Sequence, residues 1–361
     1  MAFQPWFALC SMVRRNWLSP QWTATVLKRT LARSALILAV CGCESKPAAT
    51  AAPPVANPVT QAPTNIPANM SHGEAPVGTA VDSAPVNPTP PVRSTTHLVR
   101  VRFEVTDAVI QISKSVQYRA WTFQSTVPGP VVRVTQGDTV DFTLVNHGTM
   151  PHSMDFHAAQ IAPNKYYVNV MQHDSVHYRF AAEVPGVFMY HCGTAPVAAH
   201  IANGMYGALI VDPRTPRPVA RELVFVQSEF YMTPDSAGRP RALAWERLLA
   251  LAPDYVTFNG RASQYAEHPI RVKVNELIRI YVVNAGPNRL SSFHVVGGIF
   301  ERVFVDGSQT SPLAGVQTVA VPVGGGSIFE IRLKEPGEYP FVTHAFADAT
   351  KGAVGVMLAE R

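Results

Sequence analysis

Charge is scarce in this chain, and thiols are scarcer. Only 15% of the 361 residues are Asp, Glu, Lys or Arg. The net charge of +5 arises in the first 43 residues, which hold five cations (Arg14, Arg15, Lys28, Arg29, Arg33) and no acid. Beyond them, 25 cations face 25 acids. With no basic field on the body of the chain, a nucleic-acid partner is not expected. Of the four cysteines, Cys10, Cys41, Cys43 and Cys192, only the last lies in the body, so a disulfide framework is excluded. That lone thiol is a core residue, a nucleophile or a metal ligand, and its neighbours must decide. Long apolar runs are missing too. The stretch from Ser34 to Cys41 falls well short of the roughly 20 residues a membrane helix needs. Finally, 31 prolines are too many for a mostly helical protein, because proline breaks helix interiors.

What is present first is an address. Lys28, Arg29 and Arg33 precede the short apolar run, and small residues follow it, as in an export signal. Val40-Cys41-Gly42-Cys43 resembles a bacterial lipobox with Cys43 as the acylated residue. Residues 1–43 are therefore expected to be a lipoprotein signal peptide, with Met12 an alternative start. The mature protein is expected in the periplasm or cell envelope, touching a membrane only through a lipid anchor. Residues 44–95 contain 11 of the prolines and no aromatic residue. They read as a disordered Pro/Ala-rich tether, in which His72 is solvated.

From His97 the pattern changes to short alternating runs, such as Leu98-Val-Arg-Val-Arg-Phe and Thr139-Val-Asp-Phe-Thr-Leu-Val, separated by turn residues. This indicates an all-β sandwich. The plan occurs twice. Val131 to Asn146 resembles Ile270 to Asn284, and His152 and His294 follow the respective copies. Val184-Pro-Gly to His191 resembles Glu335-Pro-Gly to His344, and Gly207-Ala-Leu-Ile-Val resembles Gly352-Ala-Val-Gly-Val. The expected domains are 96–213 and 214–361, joined at the proline-rich stretch Pro213–Pro218. One helix is expected from Ala242 to Leu251.

The histidines then sort by parity. Side chains alternate faces along a strand. If Met150-Pro-His152-Ser-Met-Asp155-Phe-His157 is extended, His152 faces one way and Asp155 and His157 the other. Adjacent His191 and Cys192 divide in the same manner. One face thus collects His152 and Cys192, and the loop after Cys192 adds His200 and Met205. Two imidazoles, a thiolate and a weak thioether are the ligand set of a blue-copper electron-transfer centre. The opposite face collects Asp155, His157 and His191, two imidazoles short of a third. The second copy has no cysteine, so His294 and His344 need another task, and completing a shared site at a domain or subunit interface is the simplest.

Together, His152-Ser-Met-Asp155-Phe-His157, Tyr190-His191-Cys192 through His200-Ile-Ala-Asn-Gly-Met205, Ser292-Phe-His294-Val-Val-Gly and Val342-Thr-His344 resemble the copper-containing nitrite reductases. The likeness covers nearly all of residues 97–361 and is nearest the branch with a short Cys-to-His loop and a lipoprotein form. It implies two tandem cupredoxin domains in a homotrimer, with one type 1 and one type 2 copper per chain. His152, Cys192, His200 and Met205 would bind type 1 copper. His157 and His191 with a neighbour's His344 would bind type 2 copper. Asp155 and His294 would be the active-site acid and base, with Thr318 hydrogen-bonding His294. The implied reaction is one-electron reduction of nitrite to nitric oxide and water, fed by a cytochrome c or a small cupredoxin. The chain departs from the family at Gln160–Lys165, where a glycine-rich stretch is usual, and at Val296, where a larger isoleucine often caps the type 2 copper.

Other readings of the same residues are a two-copper oxidoreductase acting on another small oxidant, a type 1 electron carrier, and a multicopper oxidase. The last needs His-x-His pairs, and the sequence contains none. His173 and His177 read as solvated, and His97, His147 and His268 lack partners at metal spacing.

Overall fold

The computed structural model describes residues 85–235 and 238–361. The signal segment, Cys43 and most of the expected tether lie outside the described residues. Among the described residues no helix is long and apolar enough to cross a membrane.

Two β-sandwiches follow one another. The first contains β1 (Leu98–Ser113), β2 (Val116–Phe123), β3 (Val132–Thr135), β4 (Thr139–Asn146), β5 (Asp155–Phe156), α1 (Pro163–Tyr166), β6 (Ser175–Ala181), β7 (Gly186–His191), α2 (Val197–Ala202) and β8 (Tyr206–Asp212). The second contains β9 (Arg221–Phe230), α3 (Trp245–Leu249), β10 (Tyr255–Phe258), α4 (Gln264–Glu267), β11 (His268–Lys273), β12 (Ile278–Gly286), β13 (Ser291–Val295), β14 (Arg302–Val305), β15 (Thr318–Val321), β16 (Gly326–Ile331), β17 (Gly337–Thr343), α5 (Phe346–Ala349) and β18 (Val354–Glu360).

The sheet orders expose the repeat. β2-β1-β4-β6 in the first sandwich answers β10-β9-β12-β16-β14 in the second, and β3-β8-β7-β5 answers β11-β18-β17-β13-β15. The ladders also correct the sequence alignment of the repeats. Tyr190 pairs with Gly207, and Phe341 pairs with Gly355. Each glycine makes room for the ring opposite it, since an added Cβ would lie 2.2 Å from the Tyr190 hydroxyl or from the Phe341 ring. Gly355, not Gly352, is therefore the counterpart of Gly207. In this register Cys192 corresponds to Thr343, and His191 to Val342 rather than to His344.

Alternation survives only where one face meets water. β4 alternates strictly between half-buried and buried residues. β8, β12 and β16 are buried at every position, because the sheets carrying them are covered on both faces. Their outer faces meet each other: Tyr118, Val187, Met189, Tyr206, Ala208 and Ile210 of the first sandwich form one apolar cluster with Val224, Val226, Phe230, Tyr281, Val283 and Ile328 of the second. Ion pairs border this seam. Arg133 holds Asp212 at 2.7 Å and Glu222 at 2.8 Å, while Arg279 holds Glu222 at 3.1 Å and Glu330 at 2.8 Å.

Two expectations change. Residues 85–95, read as the end of a disordered tether, are bound to the body. Val86 donates to Gln264 (2.8 Å) and accepts from Tyr265, Pro88 accepts from Val224 (2.7 Å), and Pro91 accepts from Arg133. A proline-rich segment has little conformational freedom to lose, and its carbonyls are all available as acceptors. The helix expected over 242–251 is confined to α3, because Leu243 bridges to Met232 instead.

Candidate metal centres

The segment 152–157 is not extended throughout. Only Asp155 and Phe156 belong to a strand, and His152 forms an isolated bridge with Val170. These two anchors suffice to send the side chains to opposite sides. On the inner side, His152 Nδ1 lies 3.1 Å from His200 Nδ1, and Cys192 Sγ lies 3.3 Å from His200 Nδ1 and 3.9 Å from His152 Nδ1. His200 reaches this point from α2. Met205, fully buried, closes the loop: Cys192 N–H donates to its carbonyl at 3.1 Å. Trp121 packs over both imidazoles, its ring 4.8 Å from that of His200 and 5.6 Å from that of His152.

This cluster is dry, and burial dominates its electrostatics. Desolvation holds His152 well below the ordinary imidazole pKa and His200 down to about 4, so both rings stay neutral with a lone pair to offer. Burial pushes the Cys192 thiol up, opposed by hydrogen bonds from the Ser153 and Thr194 backbone N–H groups. Neutral imidazole nitrogens and a sulfur converge without a proton donor to serve each of them, and His152 Nε2 has no hydrogen-bond partner. Two imidazoles and a thiol sulfur, all buried and facing one point, fit a copper ion.

On the other side, His157 Nε2 and His191 Nε2 stand 3.1 Å apart, with Asp155 Oδ2 3.7 Å from His191. Each ring has its other nitrogen tied to a backbone carbonyl: His157 Nδ1 to Gly324 at 3.0 Å, and His191 Nδ1 to Cys192 at 2.9 Å. A donated Nδ1–H fixes the tautomer and leaves both Nε2 lone pairs free for a metal. Burial lowers the His191 pKa, opposed by the Cys192 carbonyl and Asp155, which favour the protonated ring.

His294 and His344 form a third group in the second sandwich, with ring centroids 5.4 Å apart. Among the described residues, the cluster of Asp155, His157 and His191 does not include His344. His294 Nδ1 meets the Gln317 carbonyl at 2.8 Å and the Thr318 hydroxyl at 3.3 Å. Val296, just beyond β13, is exposed. Asp155 and His294 occupy the same rung of the two repeats: Asp155 pairs with His191, and His294 with Val342, the counterpart of His191.

Sequence reasoning missed the carbonyls of Gly324 and Gln317, which orient His157 and His294, because backbone acceptors leave no compositional trace. It also missed Trp121. An aromatic residue in a strand of a β-sandwich is ordinary core until the histidines beside it are located in space. His177 is not merely solvated, since it and Arg179 share Asp141, whose carboxyl they hold down at about 2.

The chain matches known proteins over this whole region. The multicopper oxidase family pattern covers residues 104–216. A copper-containing nitrite reductase of Neisseria gonorrhoeae is 37% identical over 305 residues, spanning 80% of this chain and 75% of that protein. The Cereibacter sphaeroides protein of that name is 28% identical over 93% of each chain. A solved copper nitrite reductase from Nitrosomonas europaea is 37% identical with a TM-score of 0.68, over 73% of this chain and 94% of that one. A solved multicopper oxidase is also similar, at 26% identity and a TM-score of 0.65 over 73% of this chain and 89% of that one, as befits a shared fold. With that likeness carried over four-fifths of its length, the chain belongs to the copper-containing nitrite reductases.

Proposed function

We propose that this chain reduces nitrite to nitric oxide and water, one electron and two protons per turnover. In this reading His152, Cys192, His200 and Met205 hold a type 1 copper, and His157 and His191 share a type 2 copper with His344 of a neighbouring copy. Bound copper supplies the electron and a Lewis acid for a nitrite oxygen.

The observation that carries the reading is the peptide bond between His191 and Cys192. These consecutive residues belong to two different donor clusters, so a short covalent path joins them. Asp155 projects beside the His191 nitrogen and can give one proton to a bound substrate oxygen. The Gln317 carbonyl fixes His294 Nδ1, leaving its Nε2 to deliver the second. Thr318 steadies the same ring, and Val296 stands at the edge of the site. The dry packing around Cys192 keeps water from the electron-accepting side.

The homotrimer is the assembly that the family resemblance implies, and a neighbouring copy that supplies His344 accords with His344 lying outside the His157 and His191 cluster among the described residues. Phe346 supports it: this ring is 57% exposed beside His344, its centroid 4.7 Å away, as an interface residue would be in an isolated chain. The export signal and Cys43 further support a periplasmic or cell-envelope protein held by a lipid, taking electrons from a cytochrome c or small cupredoxin.

Anaerobic incubation of the purified protein with a reduced dye and nitrite, with detection of nitric oxide, tests the reading. The parent should produce it, and Asp155→Asn and His294→Ala should be severely slowed. Parent protein that yields none would overturn the function. Variants equal to the parent would overturn the two proton-donor roles.

A further inference from the structure

The ladders show what the second sandwich carries where the first has its thiolate cluster. Asn146 donates to the carbonyls of Met150 (2.7 Å) and Val170 (2.9 Å), and Asn284 donates to those of Arg289 (2.8 Å) and Val321 (3.0 Å). Met150 thus corresponds to Arg289, and His152, which bridges Val170, to Ser291, which pairs with Val321. Cys192 N–H donates to Met205 at 3.1 Å, as Thr343 N–H does to Ala353 at 3.2 Å. Met205 N–H donates to His200 at 3.2 Å, as Ala353 N–H does to Asp348 at 3.4 Å. The four positions His152, Cys192, His200 and Met205 therefore become Ser291, Thr343, Asp348 and Ala353.

No soft donor remains, but the place is not filled by apolar core. Asp348, 1% exposed, receives Arg289 Nε at 2.9 Å. Arg289 is rooted in turn: its backbone N–H and that of Asn288 donate to Glu229, a buried carboxylate that also receives the Tyr231 hydroxyl. This pair joins two segments that matter. Arg289 lies just before the strand carrying His294, and Asp348 lies in α5, just after His344. Apart from ring contacts with His294 and Phe346, His344 is held among the described residues by its N–H donating to Ser292 at 2.7 Å.

We propose that Arg289 and Asp348 are positioning residues, which fix the α5 turn and thereby set His344 at its distance from His294. Where the first sandwich uses this location to hold a metal, the second uses it to aim a ligand at one. Removing Arg289 leaves a buried carboxylate without its partner, a state costly enough that the turn must open towards water. The proposal rests on the reading that His344 completes the second copper site.

The test uses the copper-loaded full chain, challenged with increasing chelator. The second copper is followed by electron paramagnetic resonance, and the Cys192 centre by its visible absorption. Asp348→Asn and Arg289→Gln should release the second copper about tenfold more readily, the lower end of what outer-shell partners are worth, and should alter its resonance parameters. The Cys192 absorption should not change, and Arg289→Lys should recover part of the retention. Arg289 is about one-third exposed, so its substitution decides the matter should Asp348→Asn fail to fold. Parent-like retention in Arg289→Gln, with His344→Ala losing the metal, would overturn the positioning role alone. Retention of the second copper in His344→Ala would instead overturn the shared-site reading.

Discussion

The two sandwiches have the same strand order and carry different chemistry at matching places. At the inner location the first has two histidines, a cysteine and a methionine, and the second has Ser291, Thr343, Asp348 and Ala353. At the rung above, the first has Asp155 and the second His294, both facing out of the sandwich. The hydrogen bonds of the backbone are kept while the side chains are exchanged. The lesson is that the fold supplies locations, and each location takes its function from one or two atoms placed there.

The comparison can be broken most severely at Cys192. Cys192→Ala leaves the first sandwich, like the second, without a thiolate. Its visible thiolate absorption should vanish, and dye-driven nitrite reduction should fall to background, while metal analysis still finds the second copper. Next, Asp155→Asn keeps shape and removes the acid. Steady-state assay should show kcat lowered by roughly 10²–10⁴, the usual worth of a positioned general acid.

Smaller effects probe how the sandwiches are joined. Glu330 is one of two carboxylates on the buried Arg279, and Glu330→Ala leaves Glu222 as its remaining partner. Urea unfolding should show a loss of about 1.5–3 kcal/mol, the worth of a hydrogen bond to a charged group. Gly326 marks a close backbone approach at the seam, since a Cβ there would lie 2.2 Å from the Val187 carbonyl. Gly326→Ala should cost about 1–3 kcal/mol by overpacking. Gly326 does not have a positive φ, so the cost reports crowding and not backbone strain.

The least effect belongs to the surface of the first sandwich. Arg179 and His177 hold Asp141 at about 2 in the folded chain, below its ordinary 3.8. A depressed folded pKa contributes stability that is complete above the ordinary value and fades as pH falls towards about 2. Denaturation midpoints of Asp141→Asn and the parent should therefore differ at neutral pH and converge in strong acid.

Much of this was legible without coordinates. Short alternating runs such as β4, with its outer face in water, announced a sandwich. The buried strands β8 and β12 carried no such alternation, because a strand covered on both faces has no polar side to show. His152, Asp155 and His157 could be sorted by parity because one residue's shift reverses a side chain whatever the distant fold does. The segment 85–95 was misjudged, as composition reports the absence of a core and not the presence of donors on another surface. The repeat register was also off by three residues near Gly207, since similar short strings match in several frames until hydrogen bonds choose one.

The sequence by itself therefore determined the repeat, the lone thiol and the division of histidines into two faces, for these depend on local covalent geometry. Only the tertiary structure decided that His200 meets His152, that Gly324 and Gln317 hold the rings of His157 and His294, and that Asp348 meets Arg289. Those contacts join residues far apart along the chain, and their distances exist only once both sheets of each sandwich have closed.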